Sequence, residues 1–291
     1  MIEYWIGVDG GGTGTRAVVA LPDGSQLGLG QAGPSALGQG VNQAWTHIVQ
    51  ACTDAFSSIG SVPPPWSVCA MGAGLSGVSH RPWSAQFHAD NPGFARLVLD
   101  TDAHTMLLGA HGGNPGAMVA AGTGSVGAVL HPDGRRFQVS GWGFPVGDEG
   151  SGAWLGLRAM SLAQQALDQR KALGPLAQQI LERCGSSRED LQAWCAVSRQ
   201  FEYAQLARLV FGTAATDPAA ENLLNEAARA LDAIARALDP GQGLPLAICG
   251  SVGSQLKHRL ASTTLARCVE ARNDATVGAL HLIRAALEAR P

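Results

Sequence analysis

Hydrophobic and polar positions along this chain fall into two passages with the same grammar. From the N-terminus, the apolar run YWIGVD leads into the turn GGGTGT, a second run RAVVAL, the turn PDG and a weaker third run SQLGLGQA. Short apolar runs bounded by glycine- and proline-rich turns predict a three-stranded antiparallel meander. From residue 117 the scheme returns as AMVAA, the turn GTGS, VGAVLH, PDG again at 132–134, and RRFQVSGW. After the first meander the periodicity predicts a helix over roughly 41–60, a strand at 66–73, a helix within 77–90, a strand at 96–100 and a helix at 103–111. After the second it predicts a long helical region over 151–238, a strand at 244–250, a helix, a short strand near 265–270 and a final helix at 275–289.

Both halves therefore read βββαβαβα, with extra helices inserted in the second. A meander followed by strands alternating with helices predicts an α/β fold in which a mixed sheet is covered by helices, built twice. The stretch GGNPG at 112–116 is the natural junction, giving domains 1–113 and 114–291, the last helix being free to pack back toward the N-terminal domain. Two such domains facing each other would form a cleft, with GGGTGT and GTGS at equivalent places in each.

Composition narrows the function classes. A length of 291 residues with 46% hydrophobic and 15% charged residues suits two cores that need no disulfides, and excludes a peptide hormone, a coiled coil or a disordered tail. No stretch of 18 apolar residues occurs, and the start MIEYWIGVDGGG has neither a basic nor a cleavable apolar region, so a cytoplasmic protein without membrane span or signal peptide is expected. Net charge is −3, with only Lys171 and Lys257 beside eighteen arginines and no basic run, which argues against nucleic acid as a partner. Cys52, Cys69, Cys184, Cys195, Cys249 and Cys268 form no CxxC or Cys/His cluster, so zinc, a redox dithiol and an iron–sulfur cluster are not expected; most read as reduced core thiols. The eight histidines show no metal spacing either, and only His104 lies close to a candidate site.

The 38 glycines, about 13% against roughly 7% in an average protein, generate three GxGxxG matches beginning at Gly28, Gly72 and Gly122. About 0.6 such matches arise by chance at this composition, and none of the three has both the strand before and the helix after that a dinucleotide fingerprint requires. A Walker A loop is absent because neither lysine follows a glycine. Any phosphate loop must be of another kind. The Gly/Thr turns qualify, since they offer several backbone N–H groups and hydroxyls with no side chain in the way.

Candidate carboxylates stand in three segments. Asp9 precedes the first glycines, where it either caps its own turn or holds a hard cation between itself and a phosphate; Mg²⁺ suits one or two carboxylates plus waters and phosphate oxygens. Asp102, in RLVLDTDAHTMLLGA, stands where a strand opens into a helix, as helix cap, as a base accepting the proton of an attacking hydroxyl, or as both. Asp148 and Glu149 lie in GWGFPVGDEGSGAWLG, either a capped helix start with glycine hinges or a sugar loop, with Asp148 accepting from hydroxyls and Trp142 or Phe144 offering an apolar face.

In order, DGGGTGTR, LDTDAHTMLLGA, AAGTGSVGAVL, GWGFPVGDEGSG and ICGSVGS resemble the phosphate, catalytic, second phosphate, sugar and adenosine segments of the BadF/BadG/BcrA/BcrD-type ATPases, in the superfamily of acetate and sugar kinases, Hsp70 and actin. Within that family the chain is most similar to N-acetylglucosamine and glucosamine kinases, over nearly its whole length. The resemblance implies two ribonuclease H-like, actin-like ATPase domains around a central cleft, and an ATP- and Mg²⁺-dependent kinase acting on the 6-hydroxyl of an amino sugar. It further implies a cytoplasmic homodimer. By the same resemblance Asp9 orders Mg²⁺ through water; Gly11, Gly12, Thr13, Gly122, Thr123, Gly124 and Ser125 hold phosphates; Gly250 and Ser251 approach the adenosine; Asp102 is the base; and Ser35, Asp102 and Asp148 contact the sugar. One departure concerns the sugar grip, because relatives usually carry Asn where this chain has Ala36. A rival within the family, an ATPase activating a CoA-thioester reductase or dehydratase, needs cluster-bridging cysteines. A sugar-sensing regulator needs a DNA-binding module ahead of a phosphate loop that here begins at residue 9.

Overall fold

The computed structural model describes residues 1–289, so the last two residues of the expected second domain lie outside the described residues. The chain divides into two compact units, Met1–Gly116 with Glu270–Pro291, and Ala117–Val269.

The first unit opens with the predicted meander, β1 (Tyr4–Gly10), β2 (Thr15–Ala20) and β3 (Gln26–Ala32), followed by α1 (Val41–Ser57), β4 (Cys69–Leu75), α2 (Arg81–Ala89), β5 (Arg96–Asp100) and α3 (Asp102–His111). The expected strand at 66–73 starts at Cys69 because Trp66–Val68, directly after three prolines, forms one 3₁₀ turn. The sheet order is β3-β2-β1-β4-β5. β1 and β2 are antiparallel, as are β2 and β3, whereas β1, β4 and β5 run parallel and end on the same edge. One face is filled by Ile6, Val8, Ile48, Phe56, Met71 and Phe87, all essentially inaccessible. Each such side chain contributes about 1.5–3 kcal/mol of burial.

The second unit contains β6 (Gly116–Ala121), β7 (Ser125–Leu130) and β8 (Arg136–Ser140). Five helices follow: α4 (Gly152–Leu167), α5 (Pro175–Cys184), α6 (Arg188–Val197), α7 (Gln200–Thr213) and α8 (Pro218–Leu238). It closes with β9 (Leu246–Cys249), α9 (Ser251–Leu256), α10 (Ser262–Leu265) and β10 (Cys268–Val269). The strand order β10-β9-β6-β7-β8 repeats that of the first sheet, the meander strands lying on one side and the strands added later on the other. The single helical region expected over 151–238 breaks where caps and prolines interrupt it. Asp217 ends one such break by accepting from Ala219 N at the start of α8 and from Leu176 N at the start of α5, both at 2.8 Å.

The last helix, α11 (Ala275–Glu288), belongs to the first unit. It lies so close to the sheet and α3 that a methyl group at Gly7, Gly72 or Gly278 would fall onto the backbone carbonyls of Thr276, Ala279 or Thr105.

Candidate active site

In the first unit the turn after β1 is held from behind. Gly11 N donates to Gly14 O at 3.0 Å, and Gly11 O accepts from Ser35 N at 3.0 Å and Ala36 N at 3.1 Å. Gly12 O accepts from the Gln39 amide at 3.1 Å. In a trans peptide the N–H points opposite to the C=O, so fixing these carbonyls turns the Gly12 and Thr13 N–H groups the other way. A methyl group at Gly11 would meet nothing within 4 Å, so packing does not require glycine there. Ser35 has no exposed surface: its hydroxyl lies 2.7 Å from Thr15 Oγ1, and Gly10 packs directly over it.

Asp9 sits directly across the β1–β2 ladder from Arg16, whose guanidinium donates to Asp9 Oδ2 at 2.7 Å and to Asp274 Oδ2 at 3.1 Å. The carboxylate is thus paired across a hairpin and does not cap the following turn. Burial pushes the Asp9 carboxyl up, against the opposing pull of Arg16. On the neighbouring parallel strands Asp9 and Asp100 both align with Gly74, which brings the tip of β5 and the start of α3 to the same sheet edge. Asp102 is the first residue of α3, and the cap is Thr101, whose hydroxyl accepts from His104 N at 3.2 Å. Asp102 Oδ1 accepts from Ala103 N at 2.8 Å. Burial is the main force raising the Asp102 carboxyl, and the negative charge of Asp9 raises it further. Two carboxyls that resist ionising together stand at one sheet edge.

The equivalent turn of the second unit is built alike. Gly122 N donates to Gly124 O at 2.9 Å, while the carbonyls of Gly122 and Thr123 accept from Gly152 N at 2.8 Å and Ala153 N at 3.1 Å in the first turn of α4. Gly122 also faces open space, with nothing within 4 Å of a methyl group. Ser125 ties this turn to the carboxylate loop, its hydroxyl donating to Glu149 O at 2.8 Å and its N–H to Asp148 Oδ1 at 3.4 Å.

Asp148 is only 3% exposed, adopts a left-handed φ of 62°, and accepts at Oδ2 from the Gln200 amide at 2.7 Å. Burial raises its carboxyl, with the adjacent Glu149 adding to the effect. Of the two aromatics in the same loop, Trp142 is 87% exposed, whereas Phe144 packs on Tyr203 with ring centroids 5.3 Å apart. Gly250, with φ 81°, caps α9 and abuts the Ala121 carbonyl, a contact that excludes any side chain, and Ser251 follows it on the exposed surface.

Sequence reading missed Arg16, Asp274 and Gln200. The first was accessible, because a hairpin turning at GGGTGT places Asp9 and Arg16 opposite each other. Asp274 and Gln200 carry no local signal. Among the described residues no group of three or more His, Cys, Asp or Glu could by itself enclose a metal ion, and no helix is long and apolar enough to cross a membrane.

Two sheets of one design, each with a Gly/Thr turn between the first two strands of its meander, outward N–H groups and nearby desolvated carboxyls, define a duplicated α/β protein suited to phosphate chemistry. The chain belongs to the BadF/BadG/BcrA/BcrD ATPase family, whose model matches residues 6–244. It is 31% identical over 281 residues to the glucosamine kinase GspK of Vibrio cholerae serotype O1, covering 96% of this chain and 95% of that protein. It is 28% identical to the N-acetylmuramic acid/N-acetylglucosamine kinase of Clostridium acetobutylicum, over 79% of this chain and 77% of that one. The crystal structure of a candidate N-acetylglucosamine kinase from Chromobacterium violaceum superimposes with a TM-score of 0.94 at 46% identity, covering 97% and 99% of the two chains.

Proposed function

We propose that this protein is an ATP-dependent amino-sugar kinase that transfers the γ-phosphoryl group of ATP to the 6-hydroxyl of glucosamine or N-acetylglucosamine. The observation that carries the reading is Asp102, a desolvated carboxyl on the first turn of α3 that shares a sheet edge with Asp9 and the outward-facing first loop. Similarity along nearly the whole chain to a glucosamine kinase supports the substrate class.

In this reading Asp102 accepts the proton of the sugar 6-hydroxyl as that oxygen bonds to the γ-phosphorus, and the bond from phosphorus to the bridging oxygen breaks to release ADP. The Gly12 and Thr13 N–H groups, and in the second unit those of Thr123 and Gly124, receive phosphate oxygens. Asp148 orients sugar hydroxyls, Gly250 and Ser251 border the adenosine, and Ser35, wholly buried, supports the first loop in place of touching sugar. Asp9 suits Mg²⁺ bound through water: the chemistry of one carboxylate already paired with Arg16, and of a second nearby, leaves most coordination to water and phosphate. Mg²⁺ would supply neutralisation of the charge on the phosphate oxygens. A cytoplasmic homodimer completes the reading on family resemblance.

The test is ADP release with ATP and Mg²⁺ across glucosamine, N-acetylglucosamine, N-acetylmannosamine and glucose, with the product's phosphate position assigned by NMR. A 6-phosphorylated amino sugar is expected, and a protein inert toward all four sugars would overturn the reading.

A further inference from the structure

The five helices inserted between β8 and β9 reach back to the carboxylate loop at one polar contact. We propose that Gln200, the first residue of α7, is a positioning residue that holds the Asp148 carboxylate in the orientation that receives the sugar, so that the helical insertion is part of the substrate site. This rests on the amino-sugar kinase reading for its substrate and on geometry for its mechanism.

The geometry over-determines the contact. Gln200 Nε2 donates to Asp148 Oδ2 at 2.7 Å across 52 positions of sequence, while Oδ1 faces Ser125 N at the longer distance of 3.4 Å. The amide is therefore closer than the Ser125 N–H to a carboxylate that also receives the Gly143 N–H and has almost no access to water. Without it a buried charge would lose its side-chain donor and keep only backbone ones. The start of α7 has little freedom to move away. Arg199 N donates to Glu202 Oε2 at 2.8 Å, Gly156 of α4 packs against the Tyr203 backbone, and the Tyr203 ring meets Phe144 in the Asp148 loop. Gly124 closes the arrangement: a methyl group there would lie 2.9 Å from Asp148 Oδ2 and 3.1 Å from Gln200 Nε2, so the second Gly/Thr turn, the carboxylate and the amide are in mutual contact.

The charged groups around this contact are few. Glu149 is the charged neighbour felt by Asp148; Arg199 and Glu202 flank Gln200 on the exposed side of α7; and Arg158 of α4 stacks over the Trp154 ring. None of them donates to Asp148, whose donors are the Gln200 amide and the backbone N–H groups of Ser125 and Gly143, all neutral. An amide donor favours the ionised carboxylate without changing the net charge. Removing it pushes the Asp148 carboxyl further up, and the folded state then loses stability more steeply as pH rises past the ordinary carboxylate range.

The experiment compares wild type, Gln200→Leu, Gln200→Glu, Asp148→Asn and the Asp148→Asn/Gln200→Leu double variant by melting temperature from pH 5 to 8 and by steady-state kinetics. The Gln200→Leu deficit in melting temperature is expected to widen with pH when Asp148 is present and to be flat with pH when it is Asn. The sugar KM of Gln200→Leu is expected to rise about tenfold with the ATP KM changed less than about twofold, the scale of one hydrogen bond to a charged group. Gln200→Glu is expected to work on the acid side, where a protonated Glu can still donate, and to lose activity as pH rises and two carboxylates oppose each other. A deficit independent of pH in both backgrounds, or unchanged sugar KM in an active Gln200→Leu protein, would overturn the proposal. Wild type inert toward amino sugars would instead remove the kinase reading, while the melting comparison still decides whether Gln200 supports the Asp148 charge.

Discussion

Arg16 Nη2 lies 2.7 Å from Asp9 Oδ2, directly across the β1–β2 ladder, so the carboxylate that precedes the first glycine loop is already paired. Arg16→Met should leave that carboxyl exposed to the full effect of burial. Its folded value, already raised, should rise further; the sign follows because a raised carboxyl binds protons that the unfolded chain has lost, so stability falls as pH climbs through that window. Melting temperatures of the variant and wild type should converge near pH 4 and diverge toward pH 7. Parallel curves would show that Arg16 does not support the Asp9 charge.

Asp102→Asn should separate activity from stability. Loss of the base should cut kcat by about 10²–10⁴. The same change removes a buried charge whose carboxyl is raised by desolvation, so the variant should melt higher than wild type at pH 7 and lose that advantage as pH falls toward the ordinary carboxylate range. Scanning calorimetry at pH 4 and 7 checks the second half. Full turnover in the variant would remove Asp102 from the base role.

Gly122→Ala and Gly250→Ala should fail in different ways. A methyl group at Gly122 meets nothing, so the variant should fold with its melting temperature within a degree or two of wild type, yet bind ATP more weakly if phosphate oxygens approach that turn. At Gly250 the φ of 81° and the abutting Ala121 carbonyl make the same change costly to the fold, by about 1–3 kcal/mol. Unaltered ATP affinity in the Gly122 variant would count against a phosphate at that turn.

Gly278→Ala tests the return of α11 to the first unit. Its methyl group would fall onto the Thr105 carbonyl and press toward Gly109 N, forcing the helix off α3. Destabilisation of about 1–3 kcal/mol is expected by chemical denaturation. A neutral effect would mean that α11 can shift without cost.

The strands were legible because each alternates or runs apolar between turns made of Gly, Pro, Asp and Asn, signals that act within a few residues. The meanders at 4–32 and 116–140 and the strand at 96–100 follow from them. Helix caps were less legible: Asp102 and Thr101 are both competent cap residues, and only the backbone geometry assigned the cap to Thr101. Asp9 and Asp102 were found by their position after strands and Asp148 by its glycine-rich loop ahead of a helix, all local properties.

By itself the sequence determined the two repeated α/β patterns and the Gly/Thr turns, and singled out Asp9, Asp102 and Asp148 as candidates. Local sterics and hydrophobic periodicity settle such features without knowledge of distant contacts. Tertiary structure alone decided that Asp274 shares Arg16 with Asp9 across 258 positions, that α11 belongs to the first unit, and that Gln200 meets Asp148. The physical reason is burial: a carboxylate withdrawn from water must find a donor wherever folding brings one, and no spacing along the chain encodes which helix will arrive.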